Sequence, residues 1–309
     1  MFPELDKIEE NDLEALAQLD AGGLLIAPEE DFATYIQRAS GLLGFREKVE
    51  NELTETGQFK LEEGFELPAD NRIPPEIIDE AAVITEPLYA VSIRWVPGFF
   101  LSQSLGLLWG GCSFTESGSD LNIFLIRNSF AARKRWFIYR RDELTAHELC
   151  HAARNVLEDE TYEEYFAYQT SPFRGRRYLG ACFRTRLDAL FFLGPVLVLL
   201  VAEIIRTSFN FQYPIWPFWV MAGLYPAFLL IRNQFERNQV KRAAKILFEA
   251  GVRNPMAVLF RCVTPEIRRF ARMQSAREVL PHIDAVAAGE LRWRLIKYRF
   301  IEEQHHEYD

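Results

Sequence analysis

Two apolar runs dominate the hydrophobic pattern of this chain. Ala189 to Ala202 carries no charge, and beyond Glu203 the apolar character continues through Ile205. A second run, from Tyr213 to Ile231, has 19 residues and no charge. About 20 apolar residues cross the core of a bilayer as a helix. We therefore predict a transmembrane hairpin of two helices over residues 187–232.

The charges that flank the runs predict the orientation of this hairpin. Basic residues outnumber acids on both outer sides, whereas the connector 206–212 carries one positive charge. By the positive-inside rule, both long ends of the chain then face the cytoplasm. Prolines in the second run leave open a hairpin that enters the bilayer without crossing it. The other alternative is a soluble helical protein whose apolar hairpin is a partner interface. The flanking basic residues are Arg174, Arg176, Arg177, Arg184 and Arg186 before the first run, and Arg232, Arg237, Lys241, Arg242 and Lys245 after the second.

Outside the hairpin, helical spacing predominates and the short strand patterns lie together within 89–139, which is typical of an α+β fold. The strand patterns at 121–126 and 136–139 are close enough to form a hairpin. Residues 59–67 fit a short hairpin or a loop, and 109–120 is a Gly/Ser-rich loop without phosphate-binding spacing. The predicted helices cover 31–53, 75–83, 233–250, a segment that starts at Thr264, and about 284–301. The predicted strands cover 89–96, 121–126 and 136–139.

Charge is distributed unevenly along the chain. The net charge is -9, yet residues 1–86 carry -16 and the remaining 223 residues carry +7. We expect the basic, aromatic helices near the C-terminus to pack on the core or contact anionic lipid heads, and we expect no nucleic-acid partner. The predicted regions are an acidic, mostly helical region (1–86), a core with short strands (87–186), the hairpin (187–232) and a basic helical region (233–309).

Cysteine usage and the N-terminus indicate the compartment. The four cysteines are scattered, without C-x-x-C spacing, which favours a reducing environment. The first ten residues are acidic and lack an apolar signal region, so secretion is not expected. Together with the hairpin, this predicts an integral membrane protein with cytoplasmic N- and C-terminal regions.

The most specific chemical signal is an H-E-x-x-H sequence formed by His147, Glu148 and His151. Residues four apart lie on one face of a helix, so two imidazoles can bind one zinc ion while the glutamate reaches a water molecule beside it. Asp142 can cap the start of such a helix, and Asn155 is a suitable stop.

A strand pair that leads into an H-E-x-x-H helix resembles the core of the zincin metallopeptidases. The resemblance implies that residues 87–186 form a zincin-like core. In that superfamily, an edge strand beside the active-site helix holds the substrate backbone extended. The segment Glu164 to Ala167 resembles the Glu-x-Phe-Ala turn that supplies the third ligand in many gluzincins. The usual Asn before that glutamate is absent, so Glu163 and Glu160 stay open as ligands. Glu164 also fits a capping box that begins at Thr161.

The resemblance implies a zinc ion held by His147, His151 and Glu164, with an open position for water. Glu148 would be the general base that takes the proton of this water and passes it to the leaving amine. Asp159 could orient a ligand histidine. The donors considered for stabilising the oxyanion are Tyr162, Tyr165, Tyr168 and Arg140.

These observations predict a membrane-anchored zinc metallopeptidase whose active site faces the cytoplasm. Its partners would be the lipid bilayer and a peptide or protein substrate that is itself associated with the membrane. The alternative is a membrane-tethered scaffold or regulatory protein with a structural or degenerate zinc site. A closed site with a fourth protein ligand would distinguish the alternative from the enzyme.

Overall fold

The computed structural model describes residues 2–61, 66–101, 110–115 and 122–302. Helices form most of this part of the chain, and small sheets complete a loosely α+β fold. The helices are α1 (Leu13–Ala21), α2 (Phe32–Thr56), α3 (Pro75–Tyr89), α4 (Ser129–Ala132), α5 (Arg141–Arg154), α6 (Glu163–Gln169), α7 (Arg174–Leu179), α8 (Arg186–Ser208), α9 (Trp216–Glu249), α10 (Pro255–Phe260), α11 (Thr264–Arg272), α12 (Val279–Ala287) and α13 (Leu291–Lys297). The strands are β1 (Gln58–Lys60), β2 (Glu66–Pro68), β3 (Gly98–Leu101), β4 (Gly111–Thr115), β5 (Asn122–Arg127), β6 (Arg135–Trp136) and β7 (Tyr139–Arg140).

The central sheet has the order β3-β5-β4, with β5 parallel to β3 and antiparallel to β4. Strand β5 is apolar on both sides because both faces of the sheet are covered. Ile123 and Leu125 pack in a cluster with α2 and the β1–β2 hairpin, whereas Phe124 and Ile126 belong to the main core that contains α5. Helix α5 therefore lies against one face of the sheet, with β4 at the edge beside it.

The sequence prediction of the strands was correct in part. Strand 121–126 is confirmed as β5, although Leu121 itself lies outside the described residues. The strand predicted at 136–139 is wrong, because Phe137 and Ile138 form the turn between β6 and β7. Phe137 has a φ of 51°, a left-handed conformation that no extended strand contains. The predicted pairing of 121–126 with 136–139 is therefore also wrong.

The strand predicted at 89–96 is wrong for a different reason. Tyr89 ends α3, and residues 90–97 form neither a helix nor a strand before β3 begins at Gly98. Val91, Ile93 and Trp95 are buried. The alternation of apolar and polar residues in this segment therefore reflects burial of one side, without strand pairing. Strand β4 lies within the loop predicted at 109–120, of which residues 109 and 116–120 lie outside the description. The described parts of 59–67 pair as the β1–β2 hairpin.

Helices α8 and α9 pair as an antiparallel hairpin. The hydroxyl of Tyr213 donates to the carbonyl of Ala202 near the connector, and the hydroxyl of Tyr225 donates to Asp188 at the other end. Hereafter "the helical hairpin" means residues 186–235. Of the helices described, α8 alone is long and apolar enough to cross a membrane, with a mean hydropathy of 2.3 over Leu187–Ser208. A membrane hairpin of two spanning helices therefore stays a prediction.

The predicted helix at 233–250 is not a separate element, because α9 continues from Trp216 to Glu249 without a break. The first half of α9 carries the second apolar run, and its second half packs on α10 and α11. Helix α11 begins at Thr264 as predicted, whereas the helix expected over about 284–301 is divided between α12 and α13. These C-terminal helices share one hydrophobic core with α1, α3 and α5.

Candidate metal centre

Helix α5 carries the two histidines, and its sequence explains how they are presented. Leu144, Leu149 and Cys150 are buried in the core, so the opposite face of the helix turns His147 and His151 toward the cleft. Asp142 does not cap the helix as predicted: it lies in the first turn and pairs with Arg140. An acid in this turn still compensates the positive end of the helix dipole.

The chain reverses after α5 and returns along it as α6. The helix ends at Asn155, and Glu158 adopts a left-handed φ of 48°, which turns the backbone. Helix α6 then begins at Glu163 with no side-chain cap, so the predicted capping box at Thr161 does not form. Since α6 starts beside His151 and ends beside the first turns of α5, Glu164 faces both histidines.

The three predicted ligands lie together. Donor atoms of His147, His151 and Glu164 are all within 4.8 Å of one another, and the group could hold a metal ion. The two Nε2 atoms are 3.1 Å apart. The Glu164 carboxylate oxygens lie 3.8 Å from the Nε2 of His147 and 3.6 Å from that of His151.

This donor set suits zinc. Two neutral imidazoles and one carboxylate are a common ligand set of catalytic zinc sites. Zinc bonds of about 2.0–2.1 Å in a tetrahedron separate the ligand atoms by about 3.3–3.4 Å, close to the spacing of these three donors. All three side chains are partly exposed to a cleft of about 860 Å³, so a water molecule and a substrate have access.

Glu163, left open as a ligand, lies on the other side of His151. Its Oε1 is 3.0 Å from the Nδ1 of His151, away from the Nε2 that faces Glu164. Its Oε2 accepts a hydrogen bond from Arg154, which also donates to the buried Asp159. Asp159 is therefore connected to His151 only indirectly, through Arg154 and Glu163. Glu160 is exposed at the cleft and is not part of the donor group.

The Nδ1 atom of His151 thus has a hydrogen-bonded carboxylate partner in Glu163. Such bonds fix the tautomer and the ring orientation of histidines that bind metal.

Glu148 lies beside the donor group, with its carboxylate buried against the edge strand. The hydroxyl of Ser113 on β4 donates to its Oε2 at 2.7 Å. A side chain at Gly111 would come within 3.2 Å of its Oε1 and within 3.0 Å of the carbonyl of Leu125. Glycine at this position therefore leaves room for the carboxylate.

Burial and neighbouring charges shift the titration of these groups. Burial and the adjacent His151 lower the pKa of His147 well below its usual value. Burial alone would lower the pKa of His151, but the hydrogen bond and charge of Glu163 raise it to about 9. Burial raises the pKa of Glu164 to about 7. Burial also raises the pKa of Glu148, which makes its carboxylate a stronger base.

Only one of the four side chains considered as oxyanion donors lines the cleft. The ring of Tyr168 packs edge-on against His147, with centroids 4.5 Å apart. Tyr162 is fully buried and donates to Gln239, Tyr165 is buried, and Arg140 pairs with Asp142.

The sequence pattern missed Ser113 and Gly111. They belong to a segment rich in glycine and serine, which resembles a loop until its pairing with β5 is known. Family models, curated proteins and solved structures gave no match to this chain. The centre is therefore interpreted from its own geometry.

Proposed function

We propose that this chain is a membrane-anchored zinc metallopeptidase whose active site faces the cytoplasm. The observation that carries the proposal is the convergence of three donor atoms, from His147, His151 and Glu164, within 4.8 Å beside the buried Glu148. The zinc ligands would be these three residues. A bound zinc ion would supply a Lewis acid and would make a coordinated water more acidic.

The residues around the metal centre would then have separate roles in the reaction. Glu148 is the general base that accepts a proton from the attacking water and delivers it to the leaving amine. Ser113 holds the Glu148 carboxylate through its hydrogen bond. Glu163 keeps the ring of His151 oriented toward the centre.

Strand β4 is the proposed platform for the substrate. It is the edge strand of the central sheet, paired with β5 on one side only among the described residues. Gly111 and Ser113 line the same cleft as the histidines. A peptide that pairs with a free strand edge is held extended by backbone hydrogen bonds, and its identity matters less than its conformation. This arrangement supports endopeptidase chemistry.

The membrane anchor is proposed from α8. Its apolar side chains, such as Leu193, Leu197 and Val201, are largely exposed, which is unfavourable in water and expected in lipid. The exposed aromatic residues Trp216 and Trp219 near the connector suit the outer interface of a bilayer.

A site closed by a fourth protein ligand would support the scaffold alternative with a structural zinc site. Among the described residues, the donor group contains three, and a cleft adjoins it. This favours the enzyme over the scaffold.

The proposal is tested by cleavage of an unstructured peptide library with the zinc-loaded, detergent-solubilised chain and its Glu148→Gln variant. We expect the variant to keep zinc and to lose cleavage by at least about 100-fold, since positioned general bases contribute 10²–10⁴. Glu158→Gln changes an exposed carboxylate in the same cleft and should leave cleavage unchanged. Equal cleavage by wild type and Glu148→Gln would remove Glu148 from its role.

A further inference from the structure

Large apolar side chains are exposed at a second place besides the helical hairpin. Some of them lie in the β6–β7 turn and the others around α7. We name this group the apolar rim: Phe137, Ile138, Phe173, Leu179 and Phe183. Among the other described residues outside the hairpin, only Val83, Phe248 and Leu280 are comparably exposed large apolar side chains. The concentration of such side chains at the rim therefore requires an explanation.

The two parts of the rim are joined to each other and to α8. The guanidinium of Arg176 in α7 donates to the carbonyl of Ile138 and lies 4.5 Å from the ring centre of Tyr139. The ring of Phe183 packs edge-on against Phe192 of α8, with centroids 5.4 Å apart. The apolar surface of the helical hairpin thus continues onto the rim.

The turn at Phe137 shows an unusual local conformation. A bulky residue rarely adopts a positive φ, yet Phe137 has a φ of 51° and its side chain is 72% exposed. Residues in such strained conformations cluster at functional sites, so this turn is a candidate contact site. Exposed Phe and Leu side chains next to basic residues are typical of surfaces that lie in the membrane interface.

Positive charge accompanies the rim. Arg133, Arg135 and Arg174 are exposed and have no acidic partner among the described residues. Basic side chains next to an apolar surface are attracted to anionic lipids of the cytoplasmic leaflet. The charge therefore favours an anionic membrane as the occupant of this surface.

We propose that the apolar rim enters the headgroup layer of an anionic cytoplasmic leaflet, next to the point where α8 enters the bilayer. The inference rests on the membrane anchoring proposed above and adds a second contact, made by the catalytic region itself.

The rim would also determine which substrates reach the centre. Arg176 pairs with Glu143 at the start of α5, at 2.8 Å. The ring of Tyr168 packs on Gly180, just after α7, where an added side-chain carbon would come within 2.4 Å of the ring. The cleft therefore lies close to the apolar rim. Peptide segments just outside the bilayer would be the favoured substrate class.

The experiment places an environment-sensitive fluorophore on a cysteine introduced into the full chain in vesicles. The three reporter variants are Ile138→Cys in the rim, Leu197→Cys in the middle of α8 and Phe248→Cys as an exposed control. Vesicles of phosphatidylcholine, with or without phosphatidylserine, contain a lipid that carries a quenching spin label near the headgroup or deeper in the acyl chain. Circular dichroism checks that each variant is folded, and the unmodified chain gives the labelling background.

We expect the shallow quencher to reduce fluorescence at 138, the deep quencher to reduce it at 197, and neither to affect 248. Quenching at 138 should increase with phosphatidylserine, and the triple variant Arg133→Gln, Arg135→Gln, Arg174→Gln should lose this increase. If 197 is quenched while 138 behaves like 248, the rim proposal fails and the anchor stands, which would leave a protein partner for this surface. If 197 is not quenched, the membrane anchor fails and the rim proposal fails with it.

Discussion

At the scale of single residues, both ring nitrogens of His151 have assigned partners. Nε2 faces the donor group, and Nδ1 is 3.0 Å from Glu163. Glu163 is in turn held by Arg154, whose guanidinium is buried between Glu163, Asp159 and the carbonyl of Phe260. The orientation of one proposed ligand thus depends on a buried ionic network that reaches the C-terminal helices.

We predict that Glu163→Ala lowers zinc affinity by about 10–100-fold, because the partner that orients His151 is lost. Chelator competition measures this affinity, with Glu160→Ala as the control on an exposed neighbour. An unchanged affinity in Glu163→Ala would contradict the role of the network.

At the scale of elements, the sequence predicted the parts of the site that lie on helices. His147 and His151 are four residues apart, and Glu164 follows His151 by 13 residues. All three residues are therefore close together in the sequence. Residues 111–115 form the edge strand β4 because they pair with β5. A local sequence rich in glycine and serine does not predict this pairing. The turn at Phe137 was missed because its side chains are as apolar as those of a strand. Tertiary pairing and a rare φ therefore account for the missed elements.

A second prediction at the scale of elements concerns helix α8 as the proposed membrane anchor. Leu193 and Leu197 are one turn apart and largely exposed. The double variant Leu193→Arg, Leu197→Arg should weaken insertion, because each charge near the centre of a spanning helix costs about 2.5–3.5 kcal/mol. Carbonate extraction of membranes should release this variant and retain the wild type and the control Val83→Arg, which changes an exposed residue of α3. Equal retention of all three chains would argue against α8 as the spanning element.

At the scale of the whole molecule, helix α9 joins the helical hairpin to the core. Its first half pairs with α8, and its second half packs against α11. The two ends of the chain also meet in that core, where the buried Asp20 pairs with Arg261 and Arg299. The predicted regions before and after the hairpin are therefore mechanically connected.

We predict that Asp20→Asn lowers the free energy of unfolding by about 3–5 kcal/mol, because it leaves buried positive charge uncompensated. Burial alone would raise the pKa of Asp20, but Arg261 and Arg299 lower it below 3.8. The ionised form therefore stabilises the fold above pH 3.8, and this contribution is lost as the pH falls through the lowered pKa.

Thermal unfolding in detergent at several pH values should show the difference between wild type and Asp20→Asn shrinking in acid. The control is Asp79→Asn, which removes one partner of an exposed ion pair with Arg94 and should change little. A constant difference at every pH would contradict the assignment to the Asp20 charge.

The most direct test of the metal centre is the zinc content per chain of the purified protein, measured beside His151→Ala and Glu164→Ala. The account predicts about one zinc per wild-type chain and a clear loss in both variants, because each removes one of three protein ligands. A well-folded wild type that takes up no zinc, even when the metal is added, would contradict the proposed centre and the peptidase function built on it.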